Sequence, residues 1–300
     1  MPLKELIDNP HSERVRRLVA LGRGNSHDSK RFLVEGPQSV REAVRYASDS
    51  ISDIYVNKEA CVTKEEENSQ SSTLQAIIKE ALSKNLYVHP AESSIIQKIS
   101  SDSQGIVAVS DAQSLDEFYA SEFKNLQNPV RVSNANNPLL IAACWQVRDP
   151  GNAGAIIRVA DVAGCAAVVF VDDCVSRWNS KLVRSTAGSL FHLPVVQMSV
   201  KDWFDYAKKS NTRVIAADIY GTDQNKPVPF PQILANTELT KSSLAILFGN
   251  EARGLTQDIL QKVDDISIIP IYGKAESMNL ATSAAVMLMG LAMSSRERKI

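Results

Sequence analysis

Short apolar runs alternate with amphipathic stretches along the whole chain, and their periodicities separate strands from helices. The stretch from Ser12 to about Ala20 fits a helix, and "GRGNSHDSK" fits a flexible connection. "RFLVEG" reads as a strand ending in glycine. "QSVREAVRYA" reads as a helix carrying Val40, Ala43, Val44 and Ala47 on one face. A strand "SISDIYV", a polar loop "VTKEEENSQSS", a helix "TLQAIIKEALSKN", a strand "LYVHP", a short helix "SSIIQKIS" and a strand "GIVAVS" follow. This predicts a small α/β domain over residues 1–111. "NLQNPVRVSNANNP", rich in Asn and Pro, predicts a linker over 112–137.

A second alternation fills 138–300. Its strands are "LLIAACW", "AAVVFVD", "LPVVQMS", "TRVIAADI", "LAILFG" and "ISIIPI". Helices lie between them, and an irregular piece contains "KPVPFP". "AAVVFV" and "LAILF" are apolar throughout, as in a parallel sheet covered on both faces. The fold class is therefore α/β in both halves.

Composition changes this picture little. The 300 residues are 44% hydrophobic and 22% charged, with a net charge of −1, which excludes a protein that coats nucleic acid non-specifically. Arg14, Arg16, Arg17, Arg23 and Arg31 nevertheless crowd the first segment, giving either a local basic face or a solvated helix. Cys61, Cys144, Cys165 and Cys174 form no C-x-x-C pair and the four histidines do not cluster, so neither a disulfide framework nor metal chemistry is expected. No run of roughly 18 apolar residues would span a membrane. The polar opening "MPLKELIDNPHSERVRR" lacks a secretion signal's apolar core, so a cytoplasmic location is the expectation.

The chemistry gathers where three apolar strands end. "VRDPGNAGAIIRVADVAG" leads from a strand into a helix with Asn152 near its start and Arg158 off its apolar stripe. Asn152 suits a helix N-cap, and Arg158 a pair with Asp161. The spacing is not G-x-G-x-x-G, so a nicotinamide site is poorly supported. "LAILFGNEARGL" ends a buried strand in a glycine that permits close approach to the backbone, followed by Glu251, which also suits a surface turn. "SIIPIYGKAESMNLATSAAVMLMGLAM" runs from a strand through a short loop to a long helix. Ser277 suits its N-cap, Asn279 its first turn, and the methionines packing or a subunit interface.

Three strand ends with Asn, Arg, Glu or Ser beside a glycine, in this order, resemble the SpoU-type branch of the SPOUT superfamily, the RNA ribose 2′-O-methyltransferases. The family motifs are "GNAGAIIRVADVAG", "LFGNEARGL" and "IPIYGKAESMNLATSAA", and the likeness runs from about Leu139 to Ala292. "RFLVEGPQSVREAV" is similar to the family's amino-terminal substrate-binding domain. Met278 stands where the family usually has leucine, and "LATSAA" replaces a more β-branched run.

The resemblance implies an amino-terminal RNA-binding domain and a carboxyl-terminal methyltransferase domain tied in a trefoil knot. It also implies a homodimer with active sites near its interface, and S-adenosyl-L-methionine as cofactor. Gly249, Ile269 and Met278 would contact that cofactor. Asn152, Arg158, Glu251, Ser277 and Asn279 match the functional positions. Arg158 would hold a phosphate and steady the developing alkoxide, because a guanidinium stays protonated. Asn152 and Glu251 would orient Arg158 and the ribose, while Ser277 and Asn279 would shape the third loop. Arg14, Arg16, Arg17, Arg23, Arg31, Lys181 and Arg184 are the RNA-phosphate candidates. The separate first domain favours ribosomal RNA. A transfer RNA methyltransferase and a non-catalytic RNA-binding homologue are the alternatives.

Overall fold

The computed structural model describes residues 4–23, 30–61, 69–126 and 138–295. The chain divides into two compact units, Met1–Phe118 with Ser176–His192, and Tyr119–Val175 with Leu193–Ile300.

The first unit contains α1 (Glu13–Gly22), β1 (Arg31–Glu35), α2 (Pro37–Tyr46), β2 (Ile51–Asn57), α3 (Ser69–Ser83), β3 (Val88–Ala91), α4 (Ser93–Ile99) and β4 (Ile106–Asp111). Its sheet has the order β1-β4-β2-β3, with β2–β3 parallel and both β4 pairings antiparallel. Ser12 caps α1 by accepting from the Val15 N–H, and Val15 and Leu18 turn into a core with Leu33, Ile95, Ile96 and Val107. Full burial of such a side chain contributes roughly 1.5–3 kcal/mol. The expected strands and helices form here. The polar loop at 62–72 and "GRGNSHDSK" lie largely outside the described residues.

The expected linker is corrected. Residues 112–125 form α5 (Ala112–Asn125), which buries Ala112, Leu115, Tyr119 and Phe123 at helical spacing. Residues 127–137 lie outside the described part.

The remaining elements are β5 (Leu140–Trp145), α6 (Pro150–Val162), β6 (Ala167–Val171), α7 (Ser180–Ser185), β7 (Val195–Met198), α8 (Val200–Lys209), β8 (Arg213–Ala217), β9 (Val228–Pro229), α9 (Phe230–Ala235), α10 (Thr237–Thr240), β10 (Leu244–Phe248), α11 (Gln257–Leu260), β11 (Asp265–Ile268) and α12 (Leu280–Ser295). Their strands make one parallel sheet in the order β7-β6-β5-β10-β8-β11-β9. Every residue of β5, β6 and β10 is buried, as their unbroken apolarity requires. The irregular "KPVPFP" contains the two-residue β9 and opens α9.

The expected second domain, 138–300, is also corrected, because 176–192 packs within the first unit. Trp178 stacks on Phe32 at 4.7 Å, Arg177 pairs with Asp116 at 2.8 Å, and His192 meets Glu42 at 3.2 Å. Arg184 reaches the buried Glu35 at 2.5 Å and Asp102 at 3.3 Å.

Candidate active site

Parallel strands all point their carboxyl ends to one edge, and in such sheets ligands bind there. At this edge the loops after β8, β10 and β11 enclose a cleft of about 570 Å³. Phe248, Leu255, Leu260 and Met287 give it apolar walls. Asn152, Gly249, Glu251, Ile269, Ser277, Met278 and Asn279 also line it, so seven of the expected site residues meet in one place.

The loop after β10 is a tight turn. Asn250 and Gly254 exchange backbone hydrogen bonds of 3.2 and 2.8 Å, and Asn250 Oδ1 accepts from the Ala252 and Arg253 N–H groups. Asn250 Nδ2 donates to the Gln146 carbonyl at 2.8 Å, fixing a residue with φ of 51° at the end of β5. Gly249 was expected to admit a ligand to the backbone. What approaches it is the chain itself: a Cβ there would lie 2.5 Å from the Gly254 carbonyl carbon and 2.8 Å from the Leu255 nitrogen.

Two capping expectations change. Asp149, not Asn152, caps α6, accepting from the Asn152 N–H at 2.7 Å just before Pro150. Asn279, not Ser277, caps α12, which begins at Leu280. Asn279 Oδ1 accepts from the Ala281 and Thr282 N–H groups at 2.9 and 3.3 Å.

Capping by Asp149 leaves the Asn152 amide available, and capping by Asn279 Oδ1 leaves its Nδ2 available, to join the three motifs. Asn279 Nδ2 donates to Asn152 Oδ1 at 3.1 Å, and Asn152 Nδ2 donates to Glu251 Oε1 at 3.4 Å. Glu251 also accepts from the Asp149 N–H at 3.0 Å and the Arg148 N–H at 3.3 Å. Its carboxylate therefore holds the entry to α6 in place. Although exposed and in a turn, it thus does more than decorate the surface.

Arg158 is exposed on α6 and is not among the residues lining the cleft. Of the RNA candidates, Arg14, Arg16, Arg17, Arg23, Arg31 and Lys181 are exposed in the first unit. Arg14 also approaches His89 Nδ1 at 3.4 Å, Arg16 donates to the His11 carbonyl, and Arg17 pairs with Glu13 one turn away. Arg184 is partly exposed, and its guanidinium pairs with Glu35 and Asp102. Asp149, Asn250 and Asp218, which shape these loops, were not singled out from the sequence. An Asp-Pro pair at a helix start was the readable signal for the first. Among the described residues no cluster suits a metal ion, and no helix is long and apolar enough to cross a membrane.

Residues 139–289 match the model of the SpoU rRNA Methylase family. The chain is 37% identical over 161 residues to the 23S rRNA (guanosine(2553)-2'-O)-methyltransferase RlmP of Bacillus subtilis, a match covering 54% of this chain and 60% of that protein. With the 23S rRNA (uridine(2479)-2'-O)-methyltransferase of Streptomyces viridochromogenes it shares 32% over 143 residues, 46% of this chain and 47% of that protein. These matches span about half the length of either relative. An rRNA methyltransferase from Sinorhizobium meliloti has the same α/β fold, with a TM-score of 0.74 at 22% identity over 98% of both chains.

Proposed function

Because the chain belongs to the SpoU rRNA Methylase family, we propose that it methylates a ribose 2′-hydroxyl of ribosomal RNA with S-adenosyl-L-methionine. The observation that carries this reading is the hydrogen-bond chain Asn279–Asn152–Glu251 beside the cleft. Asn152 lies 99 residues from Glu251 and 127 from Asn279 in the chain, yet the three side chains join in one hydrogen-bonded chain. The names of the relatives, both 23S rRNA methyltransferases, favour ribosomal over transfer RNA.

The cleft fits the cofactor by its chemistry. Its volume lies in the range of small-molecule pockets, and apolar Phe248, Leu255, Leu260 and Met287 stand beside polar Asn152, Glu251, Ser277 and Asn279. Gly249, Ile269 and Met278 would hold the cofactor through those loops. When bound, it supplies an electrophilic methyl carbon on a sulfonium sulfur. Asn152 and Asn279 would seat the target nucleotide so that its 2′-oxygen attacks in line, with the proton passing to solvent. Glu251 is a positioning residue, since its oxygens already accept from three donors. Ser277 would shape the third loop.

Arg158 cannot act as the base, because a guanidinium stays protonated below about pH 12. We assign it the substrate phosphate and the developing alkoxide. It lies one turn from Val162, which is 68% exposed on α6, and Met293 is 70% exposed on α12. We propose that a homodimer covers these faces and that Arg158 serves a partner's cleft. The trefoil knot is proposed from the family resemblance, and the strand order with β10 between β5 and β8 and the packing of α12 against α6 are compatible with it. Arg14, Arg16, Arg17, Arg23, Arg31 and Lys181 would grip RNA phosphates, giving an affinity that falls steeply with salt.

The test is transfer of labelled methyl to ribosomal and transfer RNA, followed by mapping of the product. Label in ribosomal ribose, lost in Arg158→Ala with S-adenosylhomocysteine binding retained, is the expected result. Label in transfer RNA alone, or an unimpaired Arg158→Ala, would defeat the reading.

A further inference from the structure

Two tyrosines on the cleft rim have no packing role. Tyr220 is 78% exposed and lines the cleft, and Tyr272 is 93% exposed next to the lining residue Ile271. The two leave neighbouring strands at the same edge: Ala217 of β8 pairs with Ser267 of β11, and the tyrosines follow a few residues on. Ile219 and Ile271, which line the cleft, are exposed next to them in the chain, so each of the two strand ends presents an aromatic ring beside an aliphatic side chain.

The loop that carries Tyr220 is built to be stiff. Asp218 Oδ1 accepts from the Tyr220 and Gly221 N–H groups, both at 2.8 Å. Gln257 Nε2 donates to the Gly221 carbonyl at 3.0 Å. Gly221 has a φ of +67°, and a Cβ there would lie 2.7 Å from the Asn225 carbonyl oxygen and the Pro227 ring. An exposed ring on a fixed loop loses little freedom when a flat partner covers it. Arg253 on the cleft and Lys274, two residues after Tyr272, are exposed cations on the same rim.

We propose that Tyr220 and Tyr272 form a stacking platform for unpaired bases of the RNA substrate, with Arg253 and Lys274 meeting the adjoining phosphates. This rests on the reading that an RNA ribose is methylated in this cleft. A nucleotide whose 2′-oxygen enters the cleft must carry its base, or its neighbour's, across the rim. Single-stranded RNA is held by stacking its splayed bases on aromatic side chains, and every base offers a face to a tyrosine.

The probe is a decauridylate with one central 2-aminopurine, added to the full-length protein with S-adenosylhomocysteine present. The wild type should bind it and quench its fluorescence. Tyr220→Ala and Tyr272→Ala should each weaken binding by roughly five- to hundredfold and lose quenching, while the Phe variants keep both. Tyr→Leu variants, which keep apolar bulk without a ring, should behave like Ala and guard against a local collapse. Four results overturn the proposal: no binding by the wild type, unchanged binding by the Ala variants, Phe as impaired as Ala, or quenching retained in the Leu variants. A changed sedimentation coefficient in the Ala variants would give the rim to a second copy, and weakened S-adenosylhomocysteine binding would give it to the cofactor. Either also overturns it. Methyl transfer to ribosomal RNA is scored separately. A wild type that binds and quenches without transferring methyl leaves the platform standing and removes the proposed function. Transfer with indifferent tyrosines does the reverse.

Discussion

Gly249→Ala tests the loop after β10 most directly. The added Cβ would lie 2.5 Å from one backbone atom and 2.8 Å from two more, all belonging to Gly254 and Leu255. None of these is the movable end of a side chain, so the turn itself must open. Opening it strains the two backbone hydrogen bonds between Asn250 and Gly254. Each contributes about 0.5–1.5 kcal/mol net, and overpacking adds about 1–3 kcal/mol. A total of about 3 kcal/mol corresponds to roughly 6–12 °C in the melting of a unit this size. Scanning calorimetry measures this, and titration with S-adenosylhomocysteine should show at least about a tenfold loss of affinity as the loop moves. Gly273→Ala is the control, because a Cβ there meets nothing within 4 Å, and its effect should stay within about 0.5 kcal/mol. A Gly249→Ala protein that melts with the wild type, or a Gly273→Ala protein equally destabilised, would refute the steric argument.

Three further outcomes are expected. Glu251→Ala strips an acceptor from two backbone N–H groups and the Asn152 amide, and should cost about 1–3 kcal/mol in urea unfolding, with Glu251→Gln milder. Equal losses in the two variants would argue against the hydrogen-bond role. Burial pushes the Glu42 carboxyl up, but hydrogen bonds and charge from Arg41 and His192 outweigh it and hold the pKa below its ordinary 4.5. A carboxyl depressed in the fold adds stability above its unfolded pKa and loses it as pH falls through the folded value. Melting temperature should therefore drop more steeply below about pH 4.5 in the wild type than in Glu42→Gln, and parallel curves would contradict this. Burial also pushes the Cys174 thiol up to about 11 and Cys144 well above the ordinary thiol value. Iodoacetamide at about pH 8 should label both far more slowly in the native protein than in urea, and mass spectrometry would expose any fast native reaction.

The parallel sheet was legible because β5, β6 and β10 are apolar on both faces, a pattern that belongs to few other structures. The convergence of Asn152, Glu251 and Asn279 was legible from residue type at strand ends, together with the family likeness. Their roles were less so. Asn152 and Ser277 are of types that suit an N-cap, but Asp149 before Pro150 and Asn279 take those positions, and only the first of these had a readable sequence signal. The helix Ala112–Asn125 carried its own signal in Leu115, Tyr119 and Phe123, but the Asn- and Pro-rich residues after it dominated the composition of that stretch. Nothing local announced that Arg184 would meet Glu35, since that pair depends on contacts spanning 149 positions.

The excursion of residues 176–192 into the first unit bears on how the nascent chain acquires its shape. Phe32 waits for Trp178, and the buried Glu35 waits for Arg184. The amino-terminal unit is thus not finished when its own strands have emerged from the ribosome. It closes only after residues 176–192 have been synthesised as well. A fragment ending at Phe118 would leave Glu35 without Arg184, Asp116 without Arg177 and the Phe32 ring without Trp178.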